Sequence, residues 1–158
     1  MYTVLLSRRA FCTTQKLSKE SLIGSLDLLA GSRGPNNSIE RITANSIVFS
    51  SGVEVDNRHV ALLISNKLLQ FRPRYKIING RIVDFDLKSL EFLKRINPHP
   101  DLYVVGLGGK SRLLSDANLK LFRELGIRVE VSDTRNACRS FNMLATERPG
   151  QVGALLLQ

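Results

Sequence analysis

Residues 101–158 read DLYVVGLGGKSRLLSDANLKLFRELGIRVEVSDTRNACRSFNMLATERPGQVGALLLQ, and the rest of the chain is interpreted outward from this stretch. Leu102 to Val105, Ile127 to Val131 and Val152 to Leu157 are short runs rich in Val, Leu and Ile, separated by two segments of helical periodicity. Runs apolar on both faces suit strands covered on both sides. Helical connections between such strands predict a parallel sheet with right-handed crossovers. The segment is therefore expected to fold as βαβαβ.

The capping residues agree. Ser115 precedes Asp116-Ala117-Asn118-Leu119, so its hydroxyl is placed to accept from a first-turn N–H, and Gly126 supplies the left-handed residue that closes the helix. Leu119, Phe122 and Leu125 are the residues expected to face the sheet. The second helix opens at Asp133. Ala137, Phe141, Leu144 and Ala145 form its apolar stripe, while Arg135, Arg139 and Asn142 form a polar row that starts at a strand's carboxyl end. Open α/β sheets bind ligands at that end, which makes the row a candidate surface.

Two features there invite chemistry. Gly106-Leu107-Gly108-Gly109-Lys110-Ser111 follows a strand, yet a Rossmann fingerprint needs glycine where Ser111 stands, and a P-loop needs one where Val104 stands. The glycines make a tight turn whose N–H groups either serve the fold or hold an anion. Cys138, beside Arg135 and Arg139, is either an activated thiol or a packed one. His59 and His99 have no fixed spacing to it, and no metal-ligand spacing appears. Asp133 is a cap first and a carboxylate partner for Arg135 or Arg139 second. No cofactor fingerprint and no nucleophile with its base are legible, so no enzymatic reaction is expected.

The run Val131-Ser132-Asp133-Thr134-Arg135-Asn136-Ala137-Cys138-Arg139-Ser140-Phe141-Asn142-Met143-Leu144, preceded by Gly106-Leu107-Gly108, Gly126-Ile127 and Val129-Glu130-Val131, resembles a family of small α/β proteins. One mitochondrial member of that family acts in the assembly of NADH dehydrogenase, complex I. The chain departs from the pattern at Leu107, where a small polar residue is usual, and at Pro149-Gly150. The resemblance implies a non-enzymatic matrix protein that assists complex I assembly. It further implies binding to another assembly factor and to nascent peripheral-arm subunits, with peripheral contact at the inner membrane. The candidate contact surface, read from the residues themselves, is Gly106, Gly108, Gly109, Asp133, Arg135, Cys138, Arg139 and Asn142. The alternatives are a small-anion-binding protein or enzyme built on the Gly turn with Asp133, Arg135 and Cys138, and a matrix protein of this fold unrelated to complex I.

Composition sets wider bounds. The chain of 158 residues is 43% apolar and carries a net charge of +9, enough for one soluble domain and suited to an acidic partner. The cations are scattered and no aromatic-rich RNA-binding motif appears, so nucleic acid is not expected. No apolar run approaches the roughly 18 residues that span a bilayer. Residues 1–18 contain Arg8, Arg9, Lys16 and many hydroxyls but no acid, the composition of a mitochondrial transit peptide, with cleavage after Ala10 or Ser18. Lys19 to Ala30 is expected to form an amphipathic helical arm, with residues 31–37 as a linker. From residue 38 onward a single domain is expected. Its first half alternates as short strands around turns at Ser51-Gly52, Asp56-Asn57 and Asn79-Gly80, with Leu68 to Tyr75 as one strand. Asp84 or Asp86 then caps a helix carrying Leu87, Leu90 and Leu93. The expected architecture is a three-layer α/β domain: a mixed central sheet, the βαβαβ carboxyl-terminal half, and an added antiparallel β layer.

Overall fold

The carboxyl-terminal half folds as its periodicity dictates. A computed structural model describes Pro35 and residues 37–158, so the transit-like stretch and the helical arm lie outside the described residues. Strands β8 (Leu102–Leu107), β10 (Arg128–Ser132) and β11 (Val152–Leu157) run parallel, with β8 between the other two. Helix α2 (Asp116–Glu124) connects β8 to β10, and α3 (Thr134–Glu147) connects β10 to β11. Ser115 caps α2 by accepting from the Asn118 N–H at 3.3 Å, and Gly126 follows it at φ +73°. The buried face of α2 is Asn118, Leu121 and Phe122. Leu119 and Leu125 lie only partly buried at its margins, because the helix is rotated to bring Asn118 inward.

The first half is distributed over three places rather than gathered into one layer. Strands β4 (Val60–Ile64) and β5 (Lys67–Phe71) join the central sheet antiparallel to β11, giving the order β10-β8-β11-β4-β5. All five residues of β4 are buried, because the strand lies inside the sheet and not on a solvated layer. Strands β1 (Ile39–Ile42), β2 (Ser46–Phe49) and β3 (Glu54–Asp56) form a separate antiparallel sheet. Strands β6 (Tyr75–Ile78), β7 (Ile82–Phe85) and β9 (Leu113–Leu114) form another, in which β9 pairs parallel to β7. The strand expected over Leu68 to Tyr75 is two strands. Pro73 lacks an N–H for a ladder, and the chain breaks at Arg72-Pro73-Arg74. The helix capped by Asp86 is one turn, α1 (Leu87–Leu90), continued by a 3₁₀ segment, Glu91–Arg95.

Alternation along the central strands sends side chains into two separate cores. Val60, Leu62, Tyr103, Val105, Leu155 and Leu157 meet Val83, Phe85, Leu90, Leu93, Leu121 and Phe122 on one face. Ala61, Leu63, Val104, Ala154 and Leu156 meet Ile47, Phe49, Ala137, Cys138, Phe141 and Ala145 on the other. The second face carries smaller strand residues, so α3 approaches closely. A Cβ on Gly106 would sit 2.9 Å from the Thr134 Cα and 3.1 Å from the Ala137 Cβ. On the first face Gly153 leaves room for the Tyr103 ring, 2.6 Å from where its Cβ would stand.

Candidate functional site

The strand order places the switch point of the parallel strands at the carboxyl end of β8, the usual ligand crevice of an open α/β sheet. Here the chain fills that crevice with its own atoms. The Thr134 hydroxyl, fully enclosed, donates to the Leu157 carbonyl and accepts from the Gly108 N–H at 2.8 Å. The Thr134 N–H donates to the Gly108 carbonyl at 2.9 Å, and the Arg112 guanidinium donates to the Leu107 carbonyl at 2.8 Å. Gly108 sits at φ +90°, and a Cβ there would collide with the Arg112 guanidinium at 2.6 Å. Gly106 is a packing glycine under α3, whereas Gly109 has open space around its missing Cβ. The turn's Gly108 N–H is thus engaged in closing the fold.

Asp133 is the cap of α3. Its carboxylate accepts from the Asn136 backbone N–H at 3.2 Å and from the Asn136 side chain at 2.6 Å, and among the described residues it makes no ion pair. Cys138 is 3% exposed. Burial, with a smaller contribution from the Asp133 carboxylate, pushes its thiol up to about 12. A thiol so placed is protonated at neutral pH and sealed from reagents, the opposite of an activated nucleophile.

The polar row of α3 meets a partner that sequence reasoning did not assign to it. Asn142 accepts from the Ile39 N–H at 2.9 Å and donates to the Ile39 carbonyl at 2.8 Å, fastening β1 alongside α3. Between them lies a groove of about 310 Å³, lined by Glu40 and Arg41 from β1 and by Arg135, Cys138, Arg139 and Asn142 from α3. Arg41, Arg135 and Arg139 are exposed, and none is ion-paired among the described residues. Arg135 and Arg139 are one helical turn apart, a like-charge spacing that costs a few tenths of a kcal/mol. Arg135 also stands in the first turn, at the positive end of the helix dipole. Local helix chemistry thus gives neither cation a stabilising contact. Arg41 was not legible because its neighbour in space is about a hundred residues away in sequence. The only signal was a charged pair, Glu40-Arg41, inside an otherwise apolar strand.

The model of a family described as protein of unknown function (DUF498/DUF598) matches residues 39–157, which takes in every strand and helix above. The chain belongs to this family. Among relatives, NADH dehydrogenase [ubiquinone] 1 alpha subcomplex assembly factor 3 of Homo sapiens is 43% identical over 79 residues, 49% of this chain and 42% of that protein. The protein of the same name from Xenopus tropicalis is 39% identical over 77 residues, again 49% of this chain and 42% of the relative. The matched part thus spans less than half the length of these relatives. Solved structures of similar fold are more distant in sequence. A Bartonella henselae protein described as an outer membrane protein superposes with a TM-score of 0.60 at 18% identity, covering 80% of this chain and 95% of that one. A Mth938-like domain from Bordetella pertussis gives 0.57 at 19% identity, covering 78% and 86%. They establish a Mth938-like fold. Among the described residues no helix is long and apolar enough to cross a membrane.

Proposed function

We propose that this DUF498/DUF598 protein is a non-enzymatic mitochondrial matrix protein that assists complex I assembly by holding acidic surfaces of its partners in the groove between β1 and α3. The partners are another assembly factor and nascent peripheral-arm subunits, met loosely at the inner membrane. Similarity to assembly factor 3 supports the setting. The observation that carries the binding role is the trio Arg41, Arg135 and Arg139, three exposed guanidiniums around one groove, two of them placed against helix electrostatics. The buried Cys138 and the engaged Asp133 and Gly108 weigh against a reaction or an anion pocket at the Gly turn.

The test is affinity capture of the tagged full chain from mitochondria that contain complex I, beside the Arg139→Glu variant. Wild-type capture is expected to recover complex I subunits or another assembly factor. Arg139→Glu is expected to lower that recovery about tenfold while its thermal midpoint stays within the small range typical of surface substitutions. A clean capture without any complex I protein would sink the assembly role. Undiminished capture by a folded Arg139→Glu protein would sink the groove as its surface.

A further inference from the structure

On the face of the central sheet opposite the arginine groove, β6 is an edge strand of the small sheet β6-β7-β9 among the described residues. Among the described residues β6 pairs with β7 alone, and all four of its residues are exposed. The Asp86 N–H donates to the Arg74 carbonyl at 2.8 Å, so the backbone of Arg74 faces β7. Antiparallel alternation then turns the N–H and C=O groups of Tyr75 and Ile77 outward, where no described residue bonds to them. The side chains of these two residues are each 42% exposed, on the side where Tyr75 leans on Phe85 at 5.7 Å between ring centroids. A groove of about 580 Å³ lies beside Tyr75, lined also by Arg74, Lys76, Asp84, Asp86 and Lys88.

Charge selects the occupant. Arg72, Arg74, Arg81 and Lys88, none of them ion-paired among the described residues, lie on this hairpin or at its base. The nearby acids are already engaged. Asp84 accepts from the Ser115 hydroxyl at 2.6 Å and pairs with Lys76 at 3.3 Å, while Asp86 caps α1. A second copy paired antiparallel on β6 in the register that uses both Tyr75 and Ile77 would set Lys76 against its own counterpart, and a lysine on an edge strand is a known guard against self-pairing. The amino-terminal residues of this chain are also poor occupants, since Arg8, Arg9, Lys16, Lys19 and Arg33 outnumber Glu20 and Asp27.

We propose that β6 is a docking strand, separate from the arginine groove, that takes an extended segment of a partner protein in which carboxylate and apolar residues alternate. The segment adds a fourth strand to the β6-β7-β9 sheet. Its backbone bonds Tyr75 and Ile77, its apolar residues pack on the side chains of those two, and its carboxylates fall on the face of Arg74, which has no ion pair among the described residues, and of Lys76, which they share with Asp84. The main chain supplies affinity and the alternation supplies selectivity, as in other strand-addition interfaces.

The probe is a fluorescein-labelled peptide of alternating Glu and Val, titrated with the full chain and read by anisotropy. Saturable binding is expected. It should be lost for the matching Lys–Val peptide and for the Glu–Val peptide N-methylated at alternate positions. Ile77→Pro removes one outward N–H and no ladder bond, so it should weaken binding about tenfold in a protein that still folds. If that variant does not fold, the N-methylated peptide against the wild-type chain makes the same discrimination. Absence of saturable Glu–Val binding, equal binding of the Lys–Val or N-methylated peptide, or equal binding by folded Ile77→Pro would each overturn the proposal. A wild-type dimer in sedimentation that Ile77→Pro dissolves would assign the edge to a second copy and overturn it too. No complex I component enters this experiment, so it stands apart from the assembly role.

Discussion

The two faces of the central sheet use the same device to opposite ends. On one, Asn118 of α2 accepts from the Phe85 N–H at 2.8 Å and donates to the Phe85 carbonyl at 2.9 Å, so β7 is fastened to the helix. On the other, Asn142 of α3 does the same to Ile39 of β1. Each primary amide turns its carbonyl oxygen and one N–H to the strand, and so stands in for a neighbouring strand on the side away from the residue's ladder partner, Tyr75 for Phe85 and Phe49 for Ile39. The difference is in what surrounds them. Asn118 is wholly buried, whereas Asn142 is part-buried and borders the arginine groove. One clamp therefore seals a core, and the other holds a strand in place while leaving its flank open to a partner. Stability and accessibility separate on the two faces although the chemistry of the contact is shared.

That comparison breaks most visibly at Asn118. Asn118→Ala leaves both polar groups of Phe85 buried without a partner, at about 1–3 kcal/mol each, so a loss of about 3–5 kcal/mol in urea unfolding is expected. A loss near 1 kcal/mol would mean that water reaches Phe85 and that this face is not sealed. Asn142→Ala makes the smaller change. Water can replace the amide at the open flank, so about 1 kcal/mol is expected in stability. The groove should nevertheless lose its geometry, with faster amide exchange at Ile39 and weaker partner capture than stability alone would explain. Equal losses at the two asparagines would erase the distinction between the faces.

The sequence was most legible where local rules and tertiary structure agree. Ser115, Asp133 and Gly126 marked the ends of α2 and α3, and the apolar runs gave β8, β10 and β11 to within about two residues. The family resemblance lay in the same half. The first half was harder for a physical reason. Its strands are short and pair with partners chosen by long-range packing, and no local rule distinguishes β4, buried on both faces inside the central sheet, from its solvated neighbours. Leu113-Leu114 is too short to carry a period at all, yet it completes the third sheet. At the site, Arg135, Arg139 and Asn142 were legible as one helical row. Their partner Arg41 was not, since the Asn142 clamp to Ile39 is what brings β1 there. Gly106, Gly108 and Asp133 were candidates with two readings in sequence, because a glycine turn and a helix start at a strand's end look alike whether they bind a ligand or close the fold. Thr134, whose hydroxyl bonds the turn and the end of β11 at that point, carries no signal in the sequence.

The smallest expected effect tests whether the open face is open only at its rim. Cys138 lies at the floor of the arginine groove, and burial raises its thiol from the ordinary value of 9.0 to about 12. In the unfolded chain the thiol releases its proton near the lower value, while the folded chain keeps it up to the higher one. Between the two the unfolded state binds fewer protons, so stability falls as pH rises. The contribution is fully present below about pH 9 and lost on the way to about 12, at about 1 kcal/mol per pH unit at most. Other alkaline groups titrate in the same range, so the informative quantity is the difference between the wild-type chain and Cys138→Ala in the change of urea midpoint from pH 8 to pH 10. The wild-type chain should lose more. Iodoacetamide should label Cys138 at pH 8 only at the rate of unfolding. If the two chains change alike and the thiol labels at once, solvent reaches through the groove to the core beneath α3. The arginine rim would then enclose a pocket able to take a ligand, and the contrast between a sealed face and one open only at its surface would no longer hold.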